Sequence, residues 1–293
     1  MHRLRTRNIT IAFALMIPAF VIYTVFFIIP IFDTVALSFH RWNGIGRIPW
    51  EFIGFDNYRA LLDDATFHRS LINVLIFFVV SVIILMPISF FLAYLIYAGL
   101  KRKGFFKTVF YFPTILPMAA TGLMWVLLLT RSGGAINTIL GAIGLPSDIH
   151  WLGDMQLVTW TVALVNAWIF AGQNMLFFLA GLASVPTEIV EASTVDGAHG
   201  FKRMWHIILP SIKESFKTFL VLSITGSVRV FDIIFVMTGG GPGTASEVPA
   251  TLLYRSSFIH NQFGYGSAIG VVMLVISLLG AFILTKTFNR MDK

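Results

Sequence analysis

Charge is so sparse in this chain that the gaps between charges read as membrane spans. Residues 8–32, 70–100, 108–130, 155–187 and 256–285 contain no Asp, Glu, Lys or Arg. Each run exceeds the roughly 20 residues that an apolar helix needs to cross a bilayer. A helix also satisfies its own backbone groups, which hydrocarbon demands. A sixth candidate, Thr218 to about Thr238, is interrupted only by Arg229 and Asp232. Composition agrees: of 293 residues, 57% are hydrophobic and 12% charged, against about 25% charged in an ordinary soluble domain. The expectation is an all-α integral membrane protein, a single domain over 1–293. Its six spans are expected at about 9–32, 70–98, 106–130, 156–183, 212–238 and 266–287. Pro18, Pro87, Pro117 and Gly122 fall inside them, where neighbouring helices can satisfy the freed backbone groups.

The first run follows His2, Arg3, Arg5 and Arg7 but is too long for a signal-peptide core and has no small-x-small site before Asp33, so it reads as a retained anchor. With six spans both termini share a side. The terminal segments and the loops 99–107 and 184–217 carry 14 Lys+Arg against 5 acids; the loops 33–69, 131–154 and 239–255 carry 6 against 8. By the positive-inside rule both termini are cytoplasmic. The net charge of +7 is therefore a topology signal and does not point to nucleic acid.

Within the outer loop 33–69, Ile53-Gly54-Phe55-Asp56-Asn57-Tyr58 reads as a turn followed by a short helix. Asp56 is its N-cap, with Tyr58, Leu61 and Leu62 on one face. That helix lies on the membrane surface, touches an outside partner, or does both.

The long cytoplasmic loop carries more information. Pro186-Thr187 opens a helix with Glu188 and Glu191 in its first turns, and Gly197 is placed to stop it. The helix spans about 187–197. Its small residues Ala192, Ser193 and Ala198 would let another protein approach closely, and Ile189 and Val190 would serve as apolar anchors. A helix resting on lipid headgroups is the alternative, which the acidic polar face disfavours.

Glu191-Ala192-Ser193, Gly197, Ile207 and Leu209-Pro210 resemble the E-A-A-x3-G-x9-I-x-L-P loop of permease subunits of ATP-binding-cassette importers, with Ser193 replacing the second Ala. Phe231-Asp232-Ile233 through Met237-Thr238 to Gly240-Gly241-Pro242 resembles the F-D-x-I-x-x-(L/M)-T-x-G-G-P stretch of permeases of carbohydrate importers of the maltose, multiple-sugar and glycerol-phosphate type. The likeness covers essentially the whole chain and fits the shorter, six-helix members.

The resemblance implies a type I importer permease fold in a bacterial cell (inner) membrane, with 187–197 as the coupling helix. It implies a second, similar permease as partner, more in keeping with a heterodimer than a homodimer. Two ATPase copies would hold ATP and Mg, and an extracytoplasmic binding protein would deliver a saccharide. Glu191, Ala192, Ser193, Asp196, Gly197, Ala198, Ile207, Leu209 and Pro210 would carry the coupling to the ATPase. This chain has no cofactor of its own: Gly239 to Thr244 is glycine-rich but lacks the lysine of a phosphate-binding loop.

Polar residues inside spans point to the substrate site. Asn166, Trp168, Phe170, Gln173 and Asn174 on the fourth span offer amides and aromatic faces, the chemistry of saccharide recognition. On the fifth, Ser227, Arg229, Phe231 and Asp232 are candidates. In one continuous helix Arg229 and Asp232 would share a face, either neutralising each other or facing a cavity. If Arg229 stays free, glycerol phosphate or an acidic oligosaccharide becomes the alternative cargo.

Other chemistries find little support. With Cys 0 there is no thiolate site, the His 7 form no i,i+4 pair or H-E-x-x-H, and no metal site is expected. No G-x-S-x-G elbow occurs. An intramembrane transferase would need clustered acids or histidines, and Asp63-Asp64 is the sole adjacent carboxylate pair.

Overall fold

The computed structural model describes residues 16–46 and 48–291; the basic N-terminal residues and the start of the first expected span lie outside them. Two compact units are distinguished, Met1–Asp64 with Leu253–Val272, and Ala65–Leu252 with Met273–Lys293.

In the first unit, α1 (Met16–Leu37) is apolar and exposed along most of its length, as at Phe20, Phe26 and Phe32. Such a helix belongs in lipid. It continues past the expected end at 32 and takes in Asp33. A two-residue hairpin follows, β1 (His40–Arg41) antiparallel to β2 (Glu51–Phe52), the one sheet among the described residues. Asn57 ties it down, its Nδ2 donating to Ser38 O at 2.8 Å and His40 O at 2.9 Å. Asn57 belongs to α2 (Asp56–Asp63), whose N-cap is Phe55 rather than Asp56; Asp56 instead accepts from Arg59 Nη1 at 3.0 Å. On this helix Leu61 is buried, whereas Leu62 is 69% exposed.

The second unit contains α3 (Ala65–Tyr97), α4 (Lys103–Ile115), α5 (Met118–Leu128), α6 (Ala135–Ala142), α7 (Val158–Ala183), α8 (Thr187–Val195), α9 (200–211), α10 (Lys213–Arg229), α11 (Asp232–Met237) and α12 (Pro249–Tyr254), whose last residues pass into the first unit. The last helix, α13 (Phe263–Met291), is shared between the units. Among the described residues four helices, α1, α3, α7 and α13, are each long and apolar enough to cross a membrane.

The other two expected spans are interrupted. That at 106–130 bends by 94° between α4 and α5, because Pro117 pushes Leu116 to an extended ψ of 142°. That at 212–238 is broken between α10 and α11, where Val230 is extended and Phe231 adopts φ −140°, ψ −63°. Prolines also widen helices. The π turns Thr24–Ile28, Ser81–Leu85 and Met204–Ile208 each end two residues before Pro30, Pro87 and Pro210. A proline has no N–H and its ring crowds the carbonyl four residues back, so the ladder shifts register.

The core of the second unit is the contact of α3 with α7. Phe77, Val80, Phe90 and Ala93 pack among Val162, Ile169, Met175 and Phe178, and Phe178 is stacked against Phe219 at 5.5 Å. Lipid tails are as apolar as these side chains, so close packing and buried hydrogen bonds carry the association. Thr114 Oγ1 donates to Ile169 O at 2.7 Å and Ser89 Oγ to Ala171 O at 3.1 Å. One residue beyond Ala171, a Cβ on Gly172 would collide with the Phe110 carbonyl.

Candidate functional site

On α7, residues Asn166, Phe170, Gln173 and Asn174 follow the i, i+4, i+7, i+8 spacing of one helix face. They line a cavity of about 420 Å³ together with Ser81 and Leu85 of α3, Met118 of α5, Ser223, Gly226, Ser227 and Arg229 of α10, and Phe231 and Asp232 at the break. Its size falls in the lower part of the range for small-molecule sites, about 300–1,000 Å³. Trp168, two residues from Asn166, points elsewhere; it is 40% exposed and meets Trp125 edge-on at 5.3 Å. A two-residue step turns about 200° around a helix, and that excludes it.

Arg229 and Asp232 do not share a helix face, and no ion pair joins them. The break separates them: Arg229 ends α10 and Asp232 begins α11. Each charge sits at the helix end whose dipole it complements, cation at a C-terminus and anion at an N-terminus. That is a physical reason for two charges to be tolerated inside a membrane segment. Part of the remaining polar capacity is internally committed. Asn174 Nδ2 donates to Phe170 O at 2.9 Å and Ser227 Oγ to Ser223 O at 2.8 Å. The Phe231 ring stacks on Phe235 at 5.1 Å. The cavity therefore offers hydrogen-bonding amides and hydroxyls, an aromatic wall and one charge of each sign.

Sequence reasoning missed the α3 wall, Phe77, Ser81 and Leu85. A serine inside an apolar run was the available signal for Ser81; Phe77 and Leu85 had none. It also missed what anchors the glycine-rich turn after α11. Buried Asn73 of α3 donates through Nδ2 to Ala245 O at 2.8 Å and Glu247 O at 2.7 Å. Thr159 of α7 donates to Ala245 O at 3.0 Å. Ser246 Oγ donates to Gly241 O at 2.6 Å.

The EAA-like residues occupy α8, the turn at its C-terminal end and α9. Gly197 adopts φ +72° just past α8, a conformation glycine takes without steric cost. Glu191, Ala192 and Asp196 are exposed. Ser193 and Ala198 are not available to another protein, contrary to the expectation for the small residues, since both are buried within the chain, 3% and 7% exposed. Ser193 O accepts from Ala198 N at 2.8 Å, and Arg203 Nε donates to Ala198 O at 3.1 Å. Ile207, Leu209 and Pro210 belong to α9 and its π turn, with Ile207 and Leu209 partly buried. Phe201 and Trp205 are 71% and 57% exposed and stack at 6.0 Å. No group of His, Asp or Glu among the described residues could hold a metal ion.

Comparison with known proteins places this geometry. The chain is 34% identical to the probable ABC transporter permease protein YurN of Bacillus subtilis (strain 168), over 97% of each chain. It is 32% identical to the arabinooligosaccharides transport system permease protein AraP of the same organism, over 90% of this chain and 84% of that one. The fold matches a chain of a bacterial alginate ABC transporter crystallised with alginate pentasaccharide-bound periplasmic protein, with TM-score 0.84 at 22% identity, covering 98% and 96% of the two chains. Residues 86–293 match the family described as binding-protein-dependent transport system inner membrane component. With that match and the multi-pass helical architecture, the chain belongs to this family and is a membrane-embedded permease component of an ABC transporter.

Proposed function

We propose that this chain is one of two similar permease subunits of an ATP-driven importer that carries a short saccharide through the cavity between α3, α7 and α10. The observation that carries the reading is the set of amides, hydroxyls and aromatic faces brought together there, around Asn166, Gln173 and Phe231. Saccharides present hydroxyl pairs and apolar ring faces, which such a wall complements. The chain crosses the membrane six times, the bent pair α4–α5 and the broken pair α10–α11 each counting as one crossing, with both termini cytoplasmic. A binding protein outside delivers the cargo. Two ATPase copies carry ATP and Mg, one gripping the exposed acidic face of α8 at Glu191, and their closure rocks the spans between inward and outward openings. A broken helix at the site supplies the alternative hydrogen-bonding ends that such a cavity uses.

A second reading rests on Arg229, which has no carboxylate partner among the described residues. It suits glycerol phosphate or an acidic oligosaccharide, since guanidinium binds phosphate and carboxylate in bidentate fashion. The test is ATP-dependent uptake into proteoliposomes holding the purified complex and its binding protein, with neutral and anionic saccharides offered in parallel. Saturable uptake of neutral saccharides, weakened by Asn166→Leu and Gln173→Leu, supports the first reading. Uptake confined to anionic substrates and lost in Arg229→Gln supports the second, and uptake of neither class sinks both.

A further inference from the structure

A second recess lies in the first unit, remote in sequence from the transport cavity. Pro30, Asp33, Thr34 and Leu37 form an i, i+3, i+4, i+7 stripe of α1 facing Trp42 and Trp50 across a cavity of about 460 Å³. The two indoles are 5.9 Å apart and tilted by 49°. Trp42 is held by Phe263 at 5.4 Å and Trp50 by His40 at 5.6 Å. Two of the polar groups are already engaged: the Thr34 hydroxyl donates to Pro30 O at 2.7 Å and the Trp42 N–H to Ile45 O at 3.2 Å. The Asp33 carboxylate makes no hydrogen bond or ion pair with any described residue. Asp33 is exposed one turn before the end of α1, where its carboxylate is open to a ligand.

We propose that this recess binds the organic ammonium group of a phospholipid headgroup. A carboxylate sharing a recess with two indoles is the chemistry that selects an alkylated or primary ammonium, through charge and cation–π attraction together. Phospholipid is the source favoured by position. The neighbouring α1 side chains Ile29, Phe32 and Val35 are 47%, 69% and 37% exposed, a surface that hydrocarbon covers. The carboxylate one turn from the helix end then lies at headgroup depth, where tryptophan prefers to sit.

Native mass spectrometry of the gently solubilised complex tests this with phosphatidylethanolamine, phosphatidylcholine and phosphatidylglycerol of matched acyl chains. Adducts of the two ammonium lipids should outlast those of phosphatidylglycerol. Asp33→Asn, equal in size, should weaken them roughly tenfold, about 1.4 kcal/mol, leaving phosphatidylglycerol unchanged. Trp50→Phe should retain binding that Trp50→Ala loses. Competition by millimolar choline identifies the ammonium group alone as the ligand, and its failure to compete shows that the whole lipid is needed. Equal retention of the three lipids, or an Asp33→Asn variant indistinguishable from wild type, overturns the proposal.

Discussion

Asn73 to Ala is the substitution most informative about how the permease is held together. Asn73 is fully buried, and its amide donates to two backbone carbonyls of the turn after α11, at 2.8 and 2.7 Å. The Ala245 carbonyl keeps a donor in Thr159 Oγ1 at 3.0 Å, so its loss costs about 1 kcal/mol, near the average for buried bonds between membrane helices. Withdrawing the donor from the Glu247 carbonyl costs about 1–3 kcal/mol. The sum is about 2–4 kcal/mol. Thr159→Val removes a hydroxyl shared between the Ala245 carbonyl, which Asn73 still serves, and Asn73 Oδ1 at 3.2 Å, and should cost about 1 kcal/mol. Asn73→Asp turns the donor into a third acceptor facing two carbonyls and should be worse than Ala. Reversible unfolding of the purified protein in mixed micelles measures all three, and a double-mutant cycle gives the Asn73–Thr159 coupling. Should Asn73→Asp match wild type, or should Thr159→Val cost more than Asn73→Ala, the bond assignment is wrong.

Three further outcomes are expected. Gly172→Ala should destabilise by about 1–3 kcal/mol because its Cβ meets the Phe110 carbonyl, whereas Gly226→Ala, with no neighbouring atom within 4 Å, should unfold like wild type. Glu191→Lys and Gly197→Asp should abolish ATP-driven uptake while leaving the protein inserted, the second because aspartate is strained at φ +72°; uptake at the wild-type rate refutes the coupling role of α8. Arg131 and Asp148 form a bidentate pair at 2.6 Å, and its hydrogen bond holds the Asp148 carboxyl below the usual carboxylate range. A lowered folded value means that the contribution is present at neutral pH and disappears as pH falls through that lowered value. Protection factors of amides in 131–154, corrected for the intrinsic slowing of exchange in acid, should therefore fall as pH drops, and Asp148→Asn should remove that dependence. Both groups are exposed, so high salt should shrink the effect.

Some of the site was written in local spacing. Asn166, Phe170, Gln173 and Asn174 share a face because helical periodicity is a property of the chain itself; Trp168, expected beside them, lies off that face in the structure, as the same periodicity requires. Gly197 was recognisable as a stop because few residues other than glycine adopt its backbone conformation at no cost. The fate of Ser193 and Ala198 was hidden, since a small residue suits close approach equally well whether the approaching surface is another protein or the chain's own α9.

The sequence by itself determined that this is a helical membrane protein with a patterned, acidic coupling loop. Apolar run length and charge placement suffice for that, because solvation by lipid acts residue by residue. Only the tertiary structure decided that the Arg229–Asp232 segment is two helices, that α4 and α5 meet at 94°, and that α3 completes the cavity wall. A break in a helix is stable only when neighbouring helices satisfy or compensate the exposed backbone ends. The Asn73–Thr159 anchor likewise joins residues 86 positions apart, a pairing that no local pattern encodes.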